Sequence, residues 1–176
     1  MPERNSPKYY AMGLIDQLLL QGEDSRLYQA LVQEKGYSSK VSGGINYEAG
    51  NMFDYRGPML WTGTLVYDNQ VASDSILAVV AQSINQLAAK GVDRATLDLA
   101  LVKIRSRLYD EMGTLQGFGK ANLLACFALF DDNPERINSL EVEFKKVTPA
   151  LIQKTVREYL RPTNRTVIVV NPLAQQ

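Results

Sequence analysis

The sequence contains no histidine and a single cysteine, Cys126. Histidine is the commonest general base and the commonest metal ligand in proteins, so its absence excludes imidazole-dependent triads, dyads and zinc centres within this chain. One cysteine cannot form an intrachain disulfide bond. Because Cys126 lies in the apolar segment LLACFALF, we expect a buried, unreactive thiol. No catalytic residue, cofactor or metal ion is therefore predicted for the chain itself.

An excess of charge of one sign and long hydrophobic runs are also lacking. Nineteen lysines and arginines balance nineteen aspartates and glutamates, which gives a formal net charge of zero. This balance offers no electrostatic argument for nucleic acid, so no nucleic-acid partner is predicted. No run reaches the roughly 18 apolar residues of a membrane span, and the start MPERNSP lacks the apolar stretch of a secretory signal. The compartment stays open between a bacterial cell envelope or periplasm and the cytoplasm.

The length and composition are those of one folded unit. With 176 residues, of which 45% are hydrophobic, the chain is predicted to form a single domain over residues 1–176 with a substantial core. Apolar residues at helical spacing, with Ser, Asp, Thr or Pro at the starts and Gly at several ends, predict a mostly helical chain. The predicted helices cover residues 7–20, 24–36, 71–90, 93–112 and 120–130, a short stretch after Pro134, and 148–160.

Three segments are predicted to be β-strands. Val41–Tyr47 alternates apolar with polar residues and Met59–Tyr67 is rich in β-branched and aromatic residues, which predicts an antiparallel pair. Thr166–Val170 reads TVIVV and is predicted to be a strand buried on both faces. The predicted fold class is α+β, with a small antiparallel sheet covered on one face by several helices. The polar start fits the end of a strand-to-helix connection, so we expect a fragment of a longer protein that lacks the first strand.

The remaining polar segments contain no catalytic motif. The glycine-rich stretch GTLQGFG, residues 113–119, follows a helix and lacks the Lys-Ser or Lys-Thr pair of a phosphate loop, so it predicts a break between two helices. Asp131 and Asp132 are expected to be surface charges because nothing in the sequence separates their environments. Lys103 lies among interleaved acidic residues and is expected to be solvated in the same way.

A longer and more particular pattern runs from Leu18 to Gly44, LLLQGEDSRLYQALVQEKGYSSKVSGG. A corner at Gly22 precedes Ser-Arg-Leu-Tyr, an amphipathic helix, Glu-Lys-Gly-Tyr and a strand of small residues. This order resembles a signature of the insulinase-like (pitrilysin) zinc peptidases, a family that includes the mitochondrial processing peptidase. KYYAMGLIDQLL, MLWTGTLVY, INQLAAKGVDRATLDLALVKIRSRL and VTPALIQKTVREYLRPTNRTVIVVNP are similar to other segments of that family in the same order, so the resemblance covers residues 8–172.

The resemblance implies half of a clamshell. In that family two similar metallohydrolase-like α+β halves close around a peptide, and one half carries an inverted His-x-x-Glu-His zinc motif. A chain without histidine is similar to the other, metal-free and inactive C-terminal half. The resemblance therefore implies that this chain is not an enzyme by itself. It implies zinc only in a partner half, on the same polypeptide or on a partner subunit, and a peptide or protein as substrate.

The resemblance also shows which active residues are missing. In active members the metal-free half supplies an Arg, followed seven residues later by a Tyr, that help to stabilise the reacting carbonyl. Aligned on Gly36, these positions fall on Val32 and Ser39. The nearby Arg26 and Tyr28 are expected to serve packing and the helix start. The resemblance also implies that the strand nearest the chamber offers substrate contacts, at Tyr37, Ser39, Val41 and Gly43.

Three functions remain open at this point. In the first, the chain is the non-catalytic domain of a zinc peptidase and forms the chamber wall opposite the zinc-bearing half. In the second, which the missing Arg and Tyr favour, it is a structural or assembly module like the respiratory-chain core subunits that resemble this family. In the third, it is an unrelated α+β domain that binds a small molecule, since the fold alone would allow this.

Overall fold

A computed structural model describes residues 1–114 and 119–170 of the chain. Over these residues two helices, two strands and five further α-helices follow one another in an α+β arrangement, as predicted. The strands are β1 (Ser38–Ile45) and β2 (Trp61–Tyr67), and the helices are α1 (Pro7–Leu19), α2 (Arg26–Tyr28), α3 (Ser73–Lys90), α4 (Arg94–Gly113), α5 (Gly119–Asp131), α6 (Leu140–Lys145) and α7 (Pro149–Tyr159). The predicted glycine-rich break falls partly on residues 115–118, outside the described residues.

Helix α1 is the centre of the structure. Its start follows the sequence signals, because Pro7 occupies the first turn and the Ser6 side chain accepts a hydrogen bond from the Tyr9 N–H at 3.2 Å. From Tyr9 to Leu19 every residue of the helix is buried. The helix packs against α4, α6, α7 and β1, so it is surrounded by the other elements. A helix enclosed on all sides explains why its apolar residues are not confined to one stripe.

The second helix ends in an irregular turn. Helix α2 continues into a π-helical turn over Gln29–Glu34, and Gly36, with a φ of 62°, ends it. The Tyr37 N–H then donates to the Leu31 carbonyl at 2.9 Å, which directs the chain into β1. The sequence predicts the extent of this helix and its end at glycine, whereas the change to π-helical hydrogen bonding has no signal in the residue pattern.

Strands β1 and β2 form an antiparallel ribbon, as the sequence predicts. Val41 pairs with Leu65, Gly43 with Gly63 and Ile45 with Trp61, and the ladder is irregular between Ser38 and Val41. The observed β1 begins before the predicted Val41 and ends at Ile45. Asn46, in a left-handed conformation with a φ of 56°, ends the strand and begins the turn.

The prediction of a third, doubly buried strand at Thr166–Val170 is wrong for the described residues. These residues adopt no regular secondary structure, and Ile168 and Val170 are largely exposed. The sheet of the described chain consists of β1 and β2, and this segment pairs with neither of them. The residue types favour a strand, but a strand forms only where another pairs with it.

One hydrophobic cluster connects the elements. It contains buried side chains from α1, from β1, from the loop between β1 and β2, and from α3 to α7. Aromatic rings meet edge to face inside it, with Tyr10 against Phe144 at 5.2 Å and Phe53 against Phe127 at 5.5 Å between ring centres. Within residues 1–114 and 119–170, no helix combines the length and apolar character that crossing a membrane requires.

Two charges expected at the surface are instead structural. The Lys103 ammonium donates to the carbonyl oxygens of Gln17, at 3.2 Å, and Gln21, at 2.6 Å, so it caps the C-terminal end of α1. The side chain of Asp131 is buried and forms an ion pair with Arg4. Both partners lie far away in sequence, which is why local charge patterning predicts the wrong environment for each.

Candidate functional site

The positions that align with the missing Arg and Tyr lie on the π-helical turn and at the start of β1. Val32 packs against the hydrophobic core and Ser39 is exposed. Neither side chain carries a charge or a phenol, so neither reproduces the stabilisation of a reacting carbonyl that an Arg and Tyr pair provides. Tyr37 is half-buried and also packs against the core.

The four residues predicted to contact substrate have different environments. Ser39 is exposed, whereas Tyr37 is half-buried. Val41 and Gly43 are buried on the side of β1 that faces the helices. The four residues are therefore not brought together on one accessible surface. Their contact with a substrate stays a prediction.

Gly43 occupies a position where the sheet and α1 approach closely. A methyl group added there would overlap the carbonyl oxygen of Thr62 and lie 2.9 Å from the Cδ2 atom of Leu20. The φ of Gly43 is 141°, which L side chains rarely adopt. In addition, the Gln21 side-chain amide donates to the Gly43 carbonyl at 2.9 Å. The glycine thus serves the attachment of β1 to the end of α1.

Strand β2 offers a more accessible surface than the predicted residues of β1. Thr64 and Val66 are exposed and alternate with Leu65 and Tyr67, which pack against the core. Ser42 of β1 pairs with Thr64 and is half-buried. The exposed side of the ribbon therefore carries hydroxyl and aliphatic groups at this point, and β1 adds a charge nearby because Lys40 is also exposed. The alternation within WTGTLVY could have identified Thr64 and Val66 from sequence.

A buried carboxylate of α1 binds the β1–β2 ribbon to that helix. Asp16 of α1 accepts a hydrogen bond from the Trp61 indole N–H at 2.7 Å. Arg107 approaches the other oxygen of Asp16 at 3.8 Å. Burial raises the pKa of Asp16 to about 6, because these partners offset only part of the cost of removing a carboxylate from water. The sequence gives no sign of this pair, which joins residues from two different elements.

The corner before α2 is occupied by structural groups. Ser25 is fully buried, and its hydroxyl has no hydrogen-bond partner among the described residues. Arg26 is half-buried, and burial lowers the pKa of its guanidinium. Ser25 precedes α2 without capping it through its side chain. No nucleophile with an adjacent base is formed here, which agrees with a role in packing for this corner.

A polar cluster with two carboxylates, Asp54 and Glu111, lies between the loop after β1 and the ends of α4 and α5. It borders a cavity of about 300 Å³. Asp54 already accepts hydrogen bonds from the Asn122 side chain, at 2.8 Å, and from the Asn51 N–H, at 3.0 Å. The side chain of Glu111 accepts from Asn51. Burial raises the pKa of Cys126 to about 11, which keeps the thiol protonated.

The donor atoms of this cluster do not fit a zinc ion. The chain has no histidine, and the carboxylates are engaged by amide and thiol donors. Among the residues that the structure describes, no three His, Cys, Asp or Glu side chains come together in a way that could hold a metal. Zinc binding is therefore not assigned to any of the described residues.

Comparison with solved structures supports the fold. A protease from Helicobacter pylori aligns with a TM-score of 0.74 and 13% identity over 93% of this chain, which spans 37% of that protein. The inactive peptidase domain of a "putative zinc protease" from Bordetella parapertussis gives a TM-score of 0.73 and 19% identity, over 94% of this chain and 85% of that one. A "putative zinc protease" from Bordetella pertussis gives 0.70 and 19%, over 94% and 86%.

Sequence comparison assigns the family. No curated protein sequence gave a significant match. Residues 1–102, more than half of the chain, match the family described as the peptidase M16 inactive domain. This agrees with the lack of histidine. The chain belongs to the family of peptidase M16 inactive domains.

Proposed function

We propose that the chain forms the non-catalytic wall of a peptide-binding chamber opposite a zinc-bearing peptidase half. The observation that carries this proposal is the exposed side of the β1–β2 ribbon, where Thr64 and Val66 face outwards beside the half-buried Ser42. A surface of small hydroxyl and aliphatic side chains can lie against many peptide sequences. It suits a wall better than a specific pocket.

The ribbon also offers backbone groups to a peptide. The described sheet consists of β1 and β2 alone, so one edge of each strand lacks a neighbouring strand within the described residues. An extended peptide can bind such an edge through main-chain hydrogen bonds. Ser39, which is exposed at the start of β1, lies where a bound strand would begin. We therefore retain Ser39 and Tyr37 as candidate contacts at this end of the ribbon.

The zinc-bearing half is the partner that this proposal requires. The peptidase family of the chain and the zinc protease names of the Bordetella structures support such a partner. The chain's own residues contribute shape and hydrogen-bonding groups, while the metal and the reacting water belong to the partner. The partner is either an upstream part of the same polypeptide or a separate subunit.

The test is peptide cleavage by the zinc-bearing half with and without this chain. We expect a large increase in cleavage rate when the chain is added. Thr64→Glu should reduce this increase for acidic peptides, because it adds a negative charge to the wall. Ser75→Glu is the matched control, since Ser75 is exposed on α3 and outside the sheet. An equal effect of both variants, or no increase with the wild-type chain, contradicts the proposal.

A structural or assembly role is the second candidate. The observation that favours it is Val32, which packs against the core at the position aligned with the active arginine. A valine that packs against the core cannot stabilise the substrate as an arginine at this position would. Tight association with the zinc-bearing half, without any change in its cleavage rate, would support this second function and exclude the first.

A further inference from the structure

Helix α4 is apolar on two opposite faces. One face is formed by Leu97, Ala100, Ile104 and Leu108, which are buried, and the helix packs with α1 and α5. The opposite face carries a second row of small and apolar side chains, all exposed to solvent, at positions Ala95, Leu99, Val102, Ser106 and Tyr109. We call this second row the outer seam. A helix on the surface of a domain normally carries charged and polar residues there.

The spacing of the outer seam is that of a helix–helix contact. Its members recur at intervals of four and three residues, the pattern that keeps one stripe facing a partner helix in a coiled coil. Leu99, Val102 and Tyr109 are 53%, 51% and 61% exposed. Three large apolar side chains thus lie in line over most of the helix. Ala95 and Ser106 are small enough for a second helix to approach between them.

The charges beside the seam match a second copy of the same helix. On an ideal helix Asp98 and Arg105 flank the same side of the seam, seven residues apart. If a second α4 packs antiparallel, with Leu99 of one copy against Val102 of the other, each Asp98 lies beside the Arg105 of its neighbour. The twofold symmetry produces this attraction twice. A seam that is complementary to itself in shape and charge identifies its own partner.

The present contacts of Asp98 and Arg105 leave both side chains able to pair with a second copy. Asp98 pairs with Arg94 at 3.0 Å, and Arg105 approaches Glu141 at 3.8 Å, in both cases at exposed positions. Exposed pairs of this kind contribute little and rearrange easily. On the other side of the seam Lys103 is held by the end of α1 and by Asp24, so it is not free to bind a neighbour. This favours the antiparallel arrangement, because parallel packing would need Lys103 opposite Asp98.

We propose that the outer seam of α4 is a dimer interface, in which the seams of two copies of this chain pack antiparallel. A single pair of helices buries less than the roughly 1,600 Å² of a standard interface, so we expect dissociation in the micromolar range. The proposal does not depend on the proposed chamber role, because the seam lies on α4 and the chamber surface on the β1–β2 ribbon.

The first experiment measures the oligomeric state of the full chain by sedimentation velocity over a series of concentrations. We expect a monomer–dimer equilibrium for the wild type and a monomer for Leu99→Lys. Leu129→Lys is the control, because Leu129 is also an exposed leucine but lies on α5. Circular dichroism checks that each variant is folded. A wild type that is monomeric throughout the series, or a control that dissociates as fully as Leu99→Lys, overturns the proposal.

Charge reversal then tests the partner and the direction. Asp98→Arg alone and Arg105→Asp alone should each weaken the dimer about tenfold or more. The double variant should restore it, an outcome that a general loss of stability would not produce. Ala95→Cys with Ser106→Cys should give a disulfide-linked dimer, because these positions meet in the antiparallel arrangement. A linked dimer of Ser106→Cys alone indicates parallel packing and overturns the proposed arrangement.

The same variants distinguish a different occupant. If the wild-type chain is monomeric and Leu99→Lys abolishes its binding to the zinc-bearing half, the seam belongs to that interface and self-association is excluded. If Leu99→Lys removes the dimer but leaves binding to the zinc-bearing half unchanged, the seam serves two copies of this chain. These outcomes are separate from the cleavage assay, so the chamber proposal and the dimer proposal can fail independently.

Discussion

Arg4 and Asp131, which are 127 residues apart in sequence, form a buried two-point ion pair. The Arg4 Nε and Nη2 atoms donate to the two oxygens of Asp131 at 2.9 and 3.0 Å, and the side chains are 7% and 3% exposed. The remaining Arg4 nitrogen donates to the carbonyls of Phe53 and Tyr55. The arginine therefore connects the segment before α1, the loop after β1 and the end of α5.

Replacing Arg4 by methionine should destabilise the fold by about 3 kcal/mol, because it leaves the Asp131 carboxylate buried without its main partner. Asn5 still donates to Asp131 and keeps the loss from being larger. Urea unfolding measures the change in the free energy of unfolding. Arg94→Met is the control, since the Arg94–Asp98 pair is exposed and should contribute less than about 1 kcal/mol. Equal losses for both variants would contradict the importance of the buried pair.

The buried Asp16 should make stability depend on pH. Its pKa is raised by burial from 3.8 to about 6, so the folded chain binds a proton more tightly than the unfolded chain. The stabilising contribution of the protonated form is complete below pH 3.8 and is lost as the pH rises through about 6. Asp16→Asn removes this dependence and can still accept the Trp61 hydrogen bond.

The relevant measurement is urea unfolding of the wild type and of Asp16→Asn between pH 4 and pH 7. The stability of the variant relative to the wild type should rise by about 2 kcal/mol across this range. The difference between the two proteins cancels the titration of groups that they share. A difference that stays constant with pH would show that Asp16 ionises normally in the folded chain.

Gly43→Ala should prevent normal folding or cost several kcal/mol. The added methyl group meets the backbone of Thr62, which cannot move without breaking the ribbon, and the residue has a left-handed φ of 141°. Gly113→Ala at the end of α4 is the matched control, because no atom of the described residues lies within 4 Å of the added methyl group. We expect the control to be neutral or stabilising by about 0.5 kcal/mol. Thermal unfolding of both variants, followed by circular dichroism, provides the comparison.

The sequence predicts local structure more accurately than long-range contacts. The start of α1 at Ser6 and Pro7 and the end of the second helix at Gly36 follow from capping chemistry, which involves only neighbouring residues. The ion pair of Arg4 and the buried hydrogen bond of Asp16 join distant elements, and residue types alone do not reveal such contacts. Their positions become apparent only once α1 and α5 are packed.

For the candidate site, too, the sequence predicts some features and not others. The resemblance to the peptidase family predicts the missing Arg and Tyr positions, and the family assignment confirms an inactive domain. It does not predict which face of β1 is accessible. The irregularity between Ser38 and Val41 and the unusual backbone of Gly43 determine the direction of the side chains. The exposed Thr64 and Val66 follow from simple alternation along the more regular β2.

The segment Thr166–Val170 is exposed rather than buried in a strand, and substitutions can test this difference. Ile168 is 83% exposed, whereas Ile152 of α7 is fully buried in the core. Replacing Ile168 by alanine should therefore change the free energy of unfolding by less than about 0.5 kcal/mol. The same replacement at Ile152 removes packed methyl groups and leaves a cavity, with an expected loss of about 3 kcal/mol. Urea unfolding of both variants under one condition makes the comparison, and a loss at Ile168 as large as that at Ile152 would show that the segment is packed in solution as a buried strand.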